Sequence, residues 1–287
     1  MTTQELIKKV RKIEIKTKRL SQDIFGGEYH SAFKGRGMTF SEVRGYNYGD
    51  DVRNIDWNVT ARYNEPYIKT FEEERELTLM LAVDISGSSS FGSSDTTKRE
   101  YMTEIAATLA FSALQNNDKV GLLLFTDRVE LFIPPKKGKA HVLRLIRELL
   151  QHEPVGTGTD LDPAMTFIAG YLKKRSICFF LSDFMDDDYN RSLRILARKH
   201  DLTGMRITDP RDEELPNMGL VQLRDLETGA RKLIATGSRS AQRDHRSKRE
   251  AARQYFEDSF KKAGSGSIET SIEDDYVRKL MAYFKQR

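Results

Sequence analysis

Three oxygen-rich segments hold the residues of this sequence whose types and spacing best suit chemistry. Residues 84–88 read Asp-Ile-Ser-Gly-Ser, residues 156–160 read Gly-Thr-Gly-Thr-Asp, and residues 182–183 read Ser-Asp. The first and third follow apolar runs, and the second precedes a helical pattern. Ligands of open parallel sheets bind beyond the carboxyl ends of the strands. We therefore expect the three segments to meet at one edge of a sheet.

The candidate ligands in these segments are carboxylates and hydroxyls. They are Asp84, Ser86, Ser88, Thr159 and Asp183. Such hard oxygen donors suit a divalent cation, Mg²⁺ first and Mn²⁺ or Ca²⁺ next, and suit zinc or copper poorly. Alternate residues of a loop that leaves a strand can project toward one point. The sequence therefore predicts a divalent cation site, with Gly87 allowing the tight bend.

Helix capping is the alternative interpretation of the same residues. Asp and Ser are favoured at helix N-termini. Asp84 and Ser86 would then cap the helix that follows them, and Asp183 would cap a helix that begins near Asp187. The acidic run 186–188 is interpreted as the first turn of that helix, where negative charge is favourable.

Apolar runs and helical patterns alternate through the middle of the chain and supply the elements that would position these residues. Strands are predicted at 78–83, 120–125, 176–181 and 201–207, and helices at 97–116, 139–150, 161–173 and 189–200. Such alternation predicts an α/β fold with a mostly parallel, Rossmann-like sheet and helices on both faces. Residues 129–133 follow a turn at 126–128 and suit an antiparallel edge strand.

The two ends of the chain add an extension and a tail. Residues 1–76 are predicted to be an amphipathic helix (Leu6 to Leu20) and an extension of loops and short strands packed on the core. The core domain would span 77–287. Its C-terminal part is predicted as a hairpin, a long polar helix, a short strand and a final helix, at 220–225 with 231–236, 240–262, 267–272 and 274–285.

Composition limits the class of protein. The chain has 287 residues, 47 Lys and Arg against 43 Asp and Glu, and 38% hydrophobic residues, which is typical of a globular protein. No apolar run is long enough to span a membrane. The N-terminal segment is charged and periodic, unlike a secretory signal, so a cytoplasmic location is expected. The single cysteine, Cys178, lies in an apolar run and is predicted to be a buried strand residue.

Enzyme and nucleic-acid functions have weaker support. A phosphatase-type Asp-x-Asp motif would need a second carboxylate where Ser86 stands, and neither a phosphate-binding loop nor a Gly-x-Ser-x-Gly elbow is present. A metal-dependent phosphohydrolase or nuclease stays open as an alternative. The basic faces of the first helix and of 240–262 leave a second alternative, binding of nucleic acid or an anionic surface. Solvated faces explain them better, so no nucleic-acid partner is expected.

Two parts of the sequence resemble known families. The D-x-S-x-S run at Asp84, Ser86 and Ser88, with the Thr159 loop and the Asp183 strand end, resembles the metal-ion-dependent adhesion site of von Willebrand factor A domains. Residues 44–57 (RGYNYGDDVRNIDW), followed by Ala61-Arg62 and Lys69, resemble the signature of a bacterial family called domain of unknown function fifty-eight. Its members are typically encoded beside MoxR-type AAA+ ATPases.

This resemblance implies a fold, a site and a function. The fold is a Rossmann-like sheet with the metal at its top edge. There Ser86, Ser88 and Thr159 supply hydroxyls, Asp84 and Asp183 bind directly or through water, and a partner's carboxylate completes the shell. The implied function is a non-enzymatic, chaperone-like interaction module that works with a MoxR-type ATPase on an unknown client. One departure is that residues 89–92, Ser-Ser-Phe-Gly, follow the second serine, where many such domains have Met or another apolar residue.

The signature segment itself has two interpretations. Its alternating Arg and Asp residues surround Tyr46, Tyr48 and Trp57. This composition is typical of a partner-binding surface with an aromatic anchor. It equally suits a clasp of paired charges that holds the extension on the core, which we favour.

Overall fold

The computed structural model describes residues 37–74, 77–90, 92, 97–213, 216–224 and 231–286. They divide into two compact units, a smaller one that ends at Leu77 and a larger one that begins at Thr78. The predicted helix from Leu6 to Leu20 lies outside the described residues. The packing of residues 1–76 on the core stays a prediction.

An antiparallel hairpin forms the basis of the smaller unit. Its strands are β1 (Gly37–Gly45) and β2 (Tyr67–Glu74), and between them lie a 3-10 turn (Val52–Asn54) and a short helix, α1 (Trp57–Tyr63). The strands have 9 and 8 residues, so they are longer than the loops and short strands that the sequence predicted. Their glycine and charged residues obscure the apolar alternation by which a half-buried strand is recognised.

The signature segment pairs its charges within this unit. The guanidinium of Arg44 donates two hydrogen bonds to the carboxylate of Asp50, each 2.9 Å long. Asp56 caps α1 by accepting hydrogen bonds from two backbone amides of the first turn. The side chains of Tyr48 and Trp57 are exposed. The charges thus order the segment locally, and two of its aromatic side chains remain at the surface of the unit.

A six-stranded sheet forms the centre of the larger unit. Along the chain its first five strands are β3 (Thr78–Asp84), β4 (Lys119–Phe125), β5 (Val129–Lys136), β6 (Ile177–Ser182) and β7 (Asp201–Thr208). A separate hairpin of β8 (Leu220–Arg224) and β9 (Arg231–Ala235) follows, and β10 (Gly266–Ser271) returns to the sheet. The order in space is β10-β7-β6-β3-β4-β5, and every pairing is parallel except that of β4 with β5. The predicted α/β fold, with a mostly parallel sheet and an antiparallel edge strand, is confirmed.

Helices cover both faces of this sheet, as predicted. They are α2 (Lys98–Gln115), α3 (Lys139–Gln151), α4 (Leu161–Tyr171), α5 (Asn190–Lys199), the short α6 (Pro210–Glu213), α7 (Arg239–Ala263) and α8 (Tyr276–Gln286). Phe180 of β6 belongs to the apolar cluster with α4, α5 and α7. Its neighbour Phe179 points to the other face and packs against Phe284 of α8. No helix among the described residues is long and apolar enough to cross a membrane.

The central strands are buried apolar runs, which is why the sequence predicted them well. Every residue of β6 is buried, including Cys178, so the prediction of a buried strand cysteine is confirmed. Burial raises the pKa of this thiol far above its ordinary value, which makes it unreactive. Strands buried on both faces are expected where helices cover both sides of a parallel sheet.

The antiparallel strand β5 lies at one edge of the sheet. It carries Pro134 and Pro135 close to its end. The register between β4 and β5 shifts opposite them, between Val120 and Leu122. Proline has no backbone N–H and is found in sheets mainly at edges and bulges, so both residues suit this position.

Candidate functional site

The first and third oxygen-rich segments meet at the carboxyl ends of two neighbouring strands. β3 ends at Asp84, and β6, which pairs with it in parallel, ends at Ser182. The Ser182 hydroxyl donates a hydrogen bond of 2.6 Å to Oδ2 of Asp84. Asp84 is buried, and its other oxygen, Oδ1, accepts a hydrogen bond of 2.8 Å from the backbone amide of Ser86. Both oxygens of Asp84 therefore hold the loops together.

The loop after β3 brings two of the predicted hydroxyls together. Residues Gly87–Ser90 form a 3-10 turn, and the Oγ atoms of Ser86 and Ser88 lie 3.1 Å apart. Ser89 stabilises the turn, because its hydroxyl donates a hydrogen bond of 2.7 Å to the carbonyl of Ser86. The serine pair thus presents two oxygen donors at one point beside the strand ends.

The Thr159 loop is joined to this turn through the backbone. The amide of Gly87 donates a hydrogen bond of 3.1 Å to the carbonyl of Thr157. From the other side Glu130 holds the loop, because its Oε1 accepts a hydrogen bond of 2.7 Å from the amide of Gly156. A Cβ at Gly156 would collide with the side chains of the turn after β4. The glycine therefore allows this loop to pass close to the turn after β4.

A cavity of about 770 Å³ opens beside the Thr159 loop. Thr159 lies at its wall together with four acidic residues. They are Asp160 before α4, Asp162 in the first turn of α4, and Asp186 and Asp188 before α5. The side chain of Asp186 already has a partner, since its Oδ2 accepts a hydrogen bond of 2.9 Å from the backbone amide of Leu161. Part of the acidic run 186–188 thus holds the start of α4 and is not in the first turn of α5.

Capping of the next α-helix does not explain Asp84, Ser86 or Asp183 either, whereas Asp160 does cap α4. α2 is capped by Thr97, which forms a capping box with Glu100, and α5 begins after Tyr189. Asp84 and Ser86 therefore do not cap α2, and Asp183 does not cap α5. The predicted capping of α2 and α5 by these three residues is wrong, because the residues at the N-cap positions of these helices are Thr97 and Tyr189.

Asp183 pairs with a residue that the sequence analysis missed. The ammonium of Lys98 donates a hydrogen bond of 2.9 Å to Oδ2 of Asp183, and the two side chains are 2% and 4% exposed. Lys98 is the first residue of α2. Positive charge is unfavourable at a helix N-terminus. A lysine directly after a capping threonine was therefore a signal that a carboxylate lies nearby.

The pKa values of the two buried carboxyl groups, Asp84 and Asp183, are shifted in opposite directions. Burial and the negative charge of Asp183 raise the pKa of Asp84 to about 7, and the hydrogen bonds from Ser182 and Ser86 only partly oppose this shift. Burial also raises the pKa of Asp183, but the neighbouring Lys98 ammonium outweighs it and holds that pKa below its ordinary value. Lys98 therefore favours the ionised form of Asp183 and balances its charge.

The donor set fits a hard divalent cation in kind. Oδ1 of the buried Asp183 has no hydrogen-bond partner of ordinary geometry among the described residues, although the Ser88 hydroxyl is near enough to lower the pKa of this carboxyl. This oxygen can therefore serve as a ligand. The hydroxyls of Ser86 and Ser88 lie together, and the Thr159 loop is attached to their turn. Within the described ranges, no group of three or more His, Cys, Asp or Glu side chains is placed to hold a metal. A cation here would depend on hydroxyl oxygens, which magnesium and calcium accept.

Solved structures share this fold at low sequence identity. The BatB protein of Bacteroides thetaiotaomicron aligns with 73% of this chain and 98% of its own, at a TM-score of 0.51 and 13% identity. An aerotolerance-related membrane protein of Bacteroides fragilis aligns with 73% of this chain and 97% of its own, at a TM-score of 0.51 and 16% identity. At such identities the likeness shows the fold alone.

One sequence relative and a family match extend over most of the chain, and a second relative covers about half of it. Uncharacterized protein Rv1480 of Mycobacterium tuberculosis is 31% identical over 223 residues, which are 77% of this chain and 70% of the relative. Uncharacterized protein YeaD of Bacillus subtilis is 26% identical over 137 residues, 48% of this chain and 31% of the relative. Residues 42–255 match the family described as protein of unknown function DUF58. As the resemblance of its signature segment predicted, the chain belongs to the DUF58 family.

Proposed function

We propose that this protein is a non-enzymatic interaction module that binds an acidic side chain of a partner protein through a divalent cation. The cation, Mg²⁺ or else Mn²⁺ or Ca²⁺, is held at the strand ends by the hydroxyls of Ser86, Ser88 and Thr159. Asp84 and Asp183 supply the negative charge. A coordination position left open to the outside receives the carboxylate of the partner.

One observation carries this proposal. The hydroxyls of Ser86 and Ser88 lie 3.1 Å apart, and the Ser88 hydroxyl is near enough to the buried Asp183 to lower its pKa. Oδ1 of Asp183 has no hydrogen-bond partner of ordinary geometry among the described residues. A buried, ionised oxygen without a donor is costly unless a cation or another ligand compensates it. Serine hydroxyls and a carboxylate oxygen are ligands that a hard cation accepts.

The state of Asp84 supports a binding function over hydrolysis. Its side chain is 1% exposed, and both of its oxygens accept hydrogen bonds from Ser182 and Ser86. A nucleophilic carboxylate must reach the substrate. An Asp84 enclosed in this way orders the two loops and is poorly placed to attack a phosphate ester.

The partner that we propose is a MoxR-type AAA+ ATPase, with which the module acts on an unknown client in protein assembly or activation. This part of the proposal rests on the resemblance of the signature segment. The exposed Tyr48 and Trp57 of that segment are suitable contacts, since large aromatic side chains often dominate the binding energy of interfaces.

Affinity capture tests the proposal. The tagged full chain is incubated with native bacterial lysate in Mg²⁺ or in EDTA, and bound proteins are identified by mass spectrometry. The test variant is Ser86→Ala with Ser88→Ala. The control variant is Ser238→Ala with Ser240→Ala, because these serines form a similar hydroxyl pair, 3.3 Å apart, at the exposed start of α7. Loss of the Ser238 cap costs about 1 kcal/mol, so the control also covers a modest loss of stability.

We expect an AAA+ ATPase to be captured by the wild type and by the control variant in Mg²⁺. It should be lost in EDTA and in the Ser86→Ala, Ser88→Ala variant. Equal capture under all these conditions would contradict a cation-dependent contact. Turnover of phosphate esters that disappears in Asp84→Ala would instead support the phosphohydrolase alternative.

A further inference from the structure

A lysine ammonium contacts one of the carboxylates that we propose as ligands of the cation. Lys98 Nζ is 2.9 Å from Oδ2 of Asp183, and both side chains are almost fully buried. The two residues are 85 positions apart in the chain. Lys98 therefore brings a positive charge to the carboxyl end of β6 from the start of a different element, α2.

The charge balance of the site changes as a result. Asp84 and Asp183 alone would offer two negative charges to a divalent cation. Lys98 already balances the charge of Asp183, and the positive charge of Arg249 also favours the ionised form of the same carboxylate. Asp183 uses one oxygen for Lys98 and leaves the other, Oδ1, available. A divalent cation would thus share this carboxylate with an ammonium that repels it.

We infer that Lys98 is an internal competitor of the divalent cation at this site, which balances Asp183 in the cation-free protein and weakens the binding of the cation. The inference rests on the proposed function. Its consequence is a coupling between cation and partner. The cation alone is held weakly, and the negative charge of the partner's carboxylate offsets the repulsion by Lys98. Cation and partner therefore bind cooperatively, each raising the affinity for the other.

Mn²⁺ binding to the purified full chain tests this inference without a partner. The affinity is measured by calorimetric titration for the wild type, Lys98→Met, Lys98→Arg and Lys139→Met. Lys98→Met removes the charge and keeps much of the length, whereas Lys98→Arg keeps the charge. Lys139 is the matched control, because it is also the first residue of a helix, α3, but is exposed.

We expect Lys98→Met to bind Mn²⁺ on the order of tenfold more tightly than the wild type, since one nearby positive charge is removed. Lys98→Arg and Lys139→Met should bind like the wild type. Adding Ser86→Ala and Ser88→Ala to Lys98→Met should remove the gain in Mn²⁺ affinity. This loss would show that the ion binds at this site.

Thermal unfolding keeps the test decisive if Lys98→Met is unstable. Without its counter-charge the buried Asp183 destabilises the fold. Mn²⁺ should then raise the midpoint of unfolding more in Lys98→Met than in the wild type, and should restore folded circular dichroism if the variant is unfolded without the ion. The inference is overturned if Lys98→Met stays unfolded in Mn²⁺. It is also overturned if Mn²⁺ raises the unfolding midpoint of Lys98→Met no more than that of the wild type.

The failure of the inference differs from the failure of the proposed function. Equal Mn²⁺ affinities in the wild type and Lys98→Met would overturn competition by Lys98 and leave the cation site intact. No Mn²⁺ binding by either protein would overturn both. Tight binding by Lys98→Met with capture of the partner unaffected by EDTA would support competition and refute the cation-dependent contact.

Discussion

Replacing Asp183 by Asn should destabilise the protein strongly, because it removes the negative charge from a buried ion pair. Lys98 and Asp183 are 2% and 4% exposed, and their charged atoms are 2.9 Å apart. At an effective dielectric constant of about 20, two unit charges at that distance attract each other by roughly 6 kcal/mol. Desolvation of both groups offsets part of this, and losing one partner of a buried pair typically costs about 3 to 5 kcal/mol. We expect Asp183→Asn to lower the free energy of unfolding by about 3 kcal/mol, since the amide oxygen can still accept a hydrogen bond.

The assay is urea unfolding followed by circular dichroism, in buffer with EDTA so that no divalent cation contributes. Asp274→Asn is the matched control. Asp274 pairs with Lys279 at 2.6 Å, but both side chains are 39% exposed. Solvent screens such a pair, so its loss should cost at most about 1 kcal/mol.

A double variant separates the charge from the loss of packing. Lys98→Met with Asp183→Asn leaves neither charge of the pair buried, so it should be more stable than Asp183→Asn alone. The reasoning is refuted if Asp183→Asn costs no more than Asp274→Asn, or if the double variant is the less stable of the two Asp183 variants.

Three further perturbations test the packing and electrostatics around the sheet. A Cβ at Gly204 would press on two phenylalanine rings of α7, so Gly204→Ala should lower the free energy of unfolding in urea by about 1 to 3 kcal/mol. At Gly170 a Cβ meets open space, so Gly170→Ala should instead raise it by about 0.5 kcal/mol. Equal effects of the two substitutions would contradict the close packing of α7 on Gly204. Burial, and to a smaller extent nearby positive charges, lowers the pKa of His200 from 6.5. Because the unfolded chain then takes up this proton more readily than the folded protein, the free energy of unfolding should decrease as pH falls below about 6.5. His200→Gln should reduce this decrease. Glu130→Ala should lower the free energy of unfolding by about 1 to 3 kcal/mol and weaken Mn²⁺ binding, because the amide of Gly156 loses its acceptor. A variant with unchanged stability and unchanged Mn²⁺ affinity would show that Glu130 does not hold the loop.

The sheet could be predicted from the sequence because its strands carry a strong local signal. β3, β4 and β6 are almost continuous apolar runs, and two of the three oxygen-rich segments lie where β3 and β6 end. Since parallel strands end at a common edge, the meeting of Asp84 with Ser182 follows from the topology. The hairpin of β1 and β2 lacks such runs, and its length could not be predicted.

Lys98 shows what local patterns cannot reveal. Its partner is 85 residues away, and the contact depends on where α2 begins relative to the end of β6. The sequence could mark Lys98 as unusual at a helix N-terminus, but the identity of its carboxylate required the packed structure. The roles of Asp84, Ser86, Ser88, Thr159 and Asp183 as ligands stay predictions, because they concern an ion and not the chain alone.

The two prolines near the end of β5 limit how this protein can join another. An exposed edge strand offers unpaired N–H and C=O groups, and a foreign strand can add to it. Pro134 and Pro135 contribute no N–H groups there, so a seventh strand would meet a gap in its ladder on this side. Uncontrolled polymerisation through that edge is thereby discouraged at high local concentration. A partner is accordingly directed away from strand addition at β5 and toward contacts made by side chains.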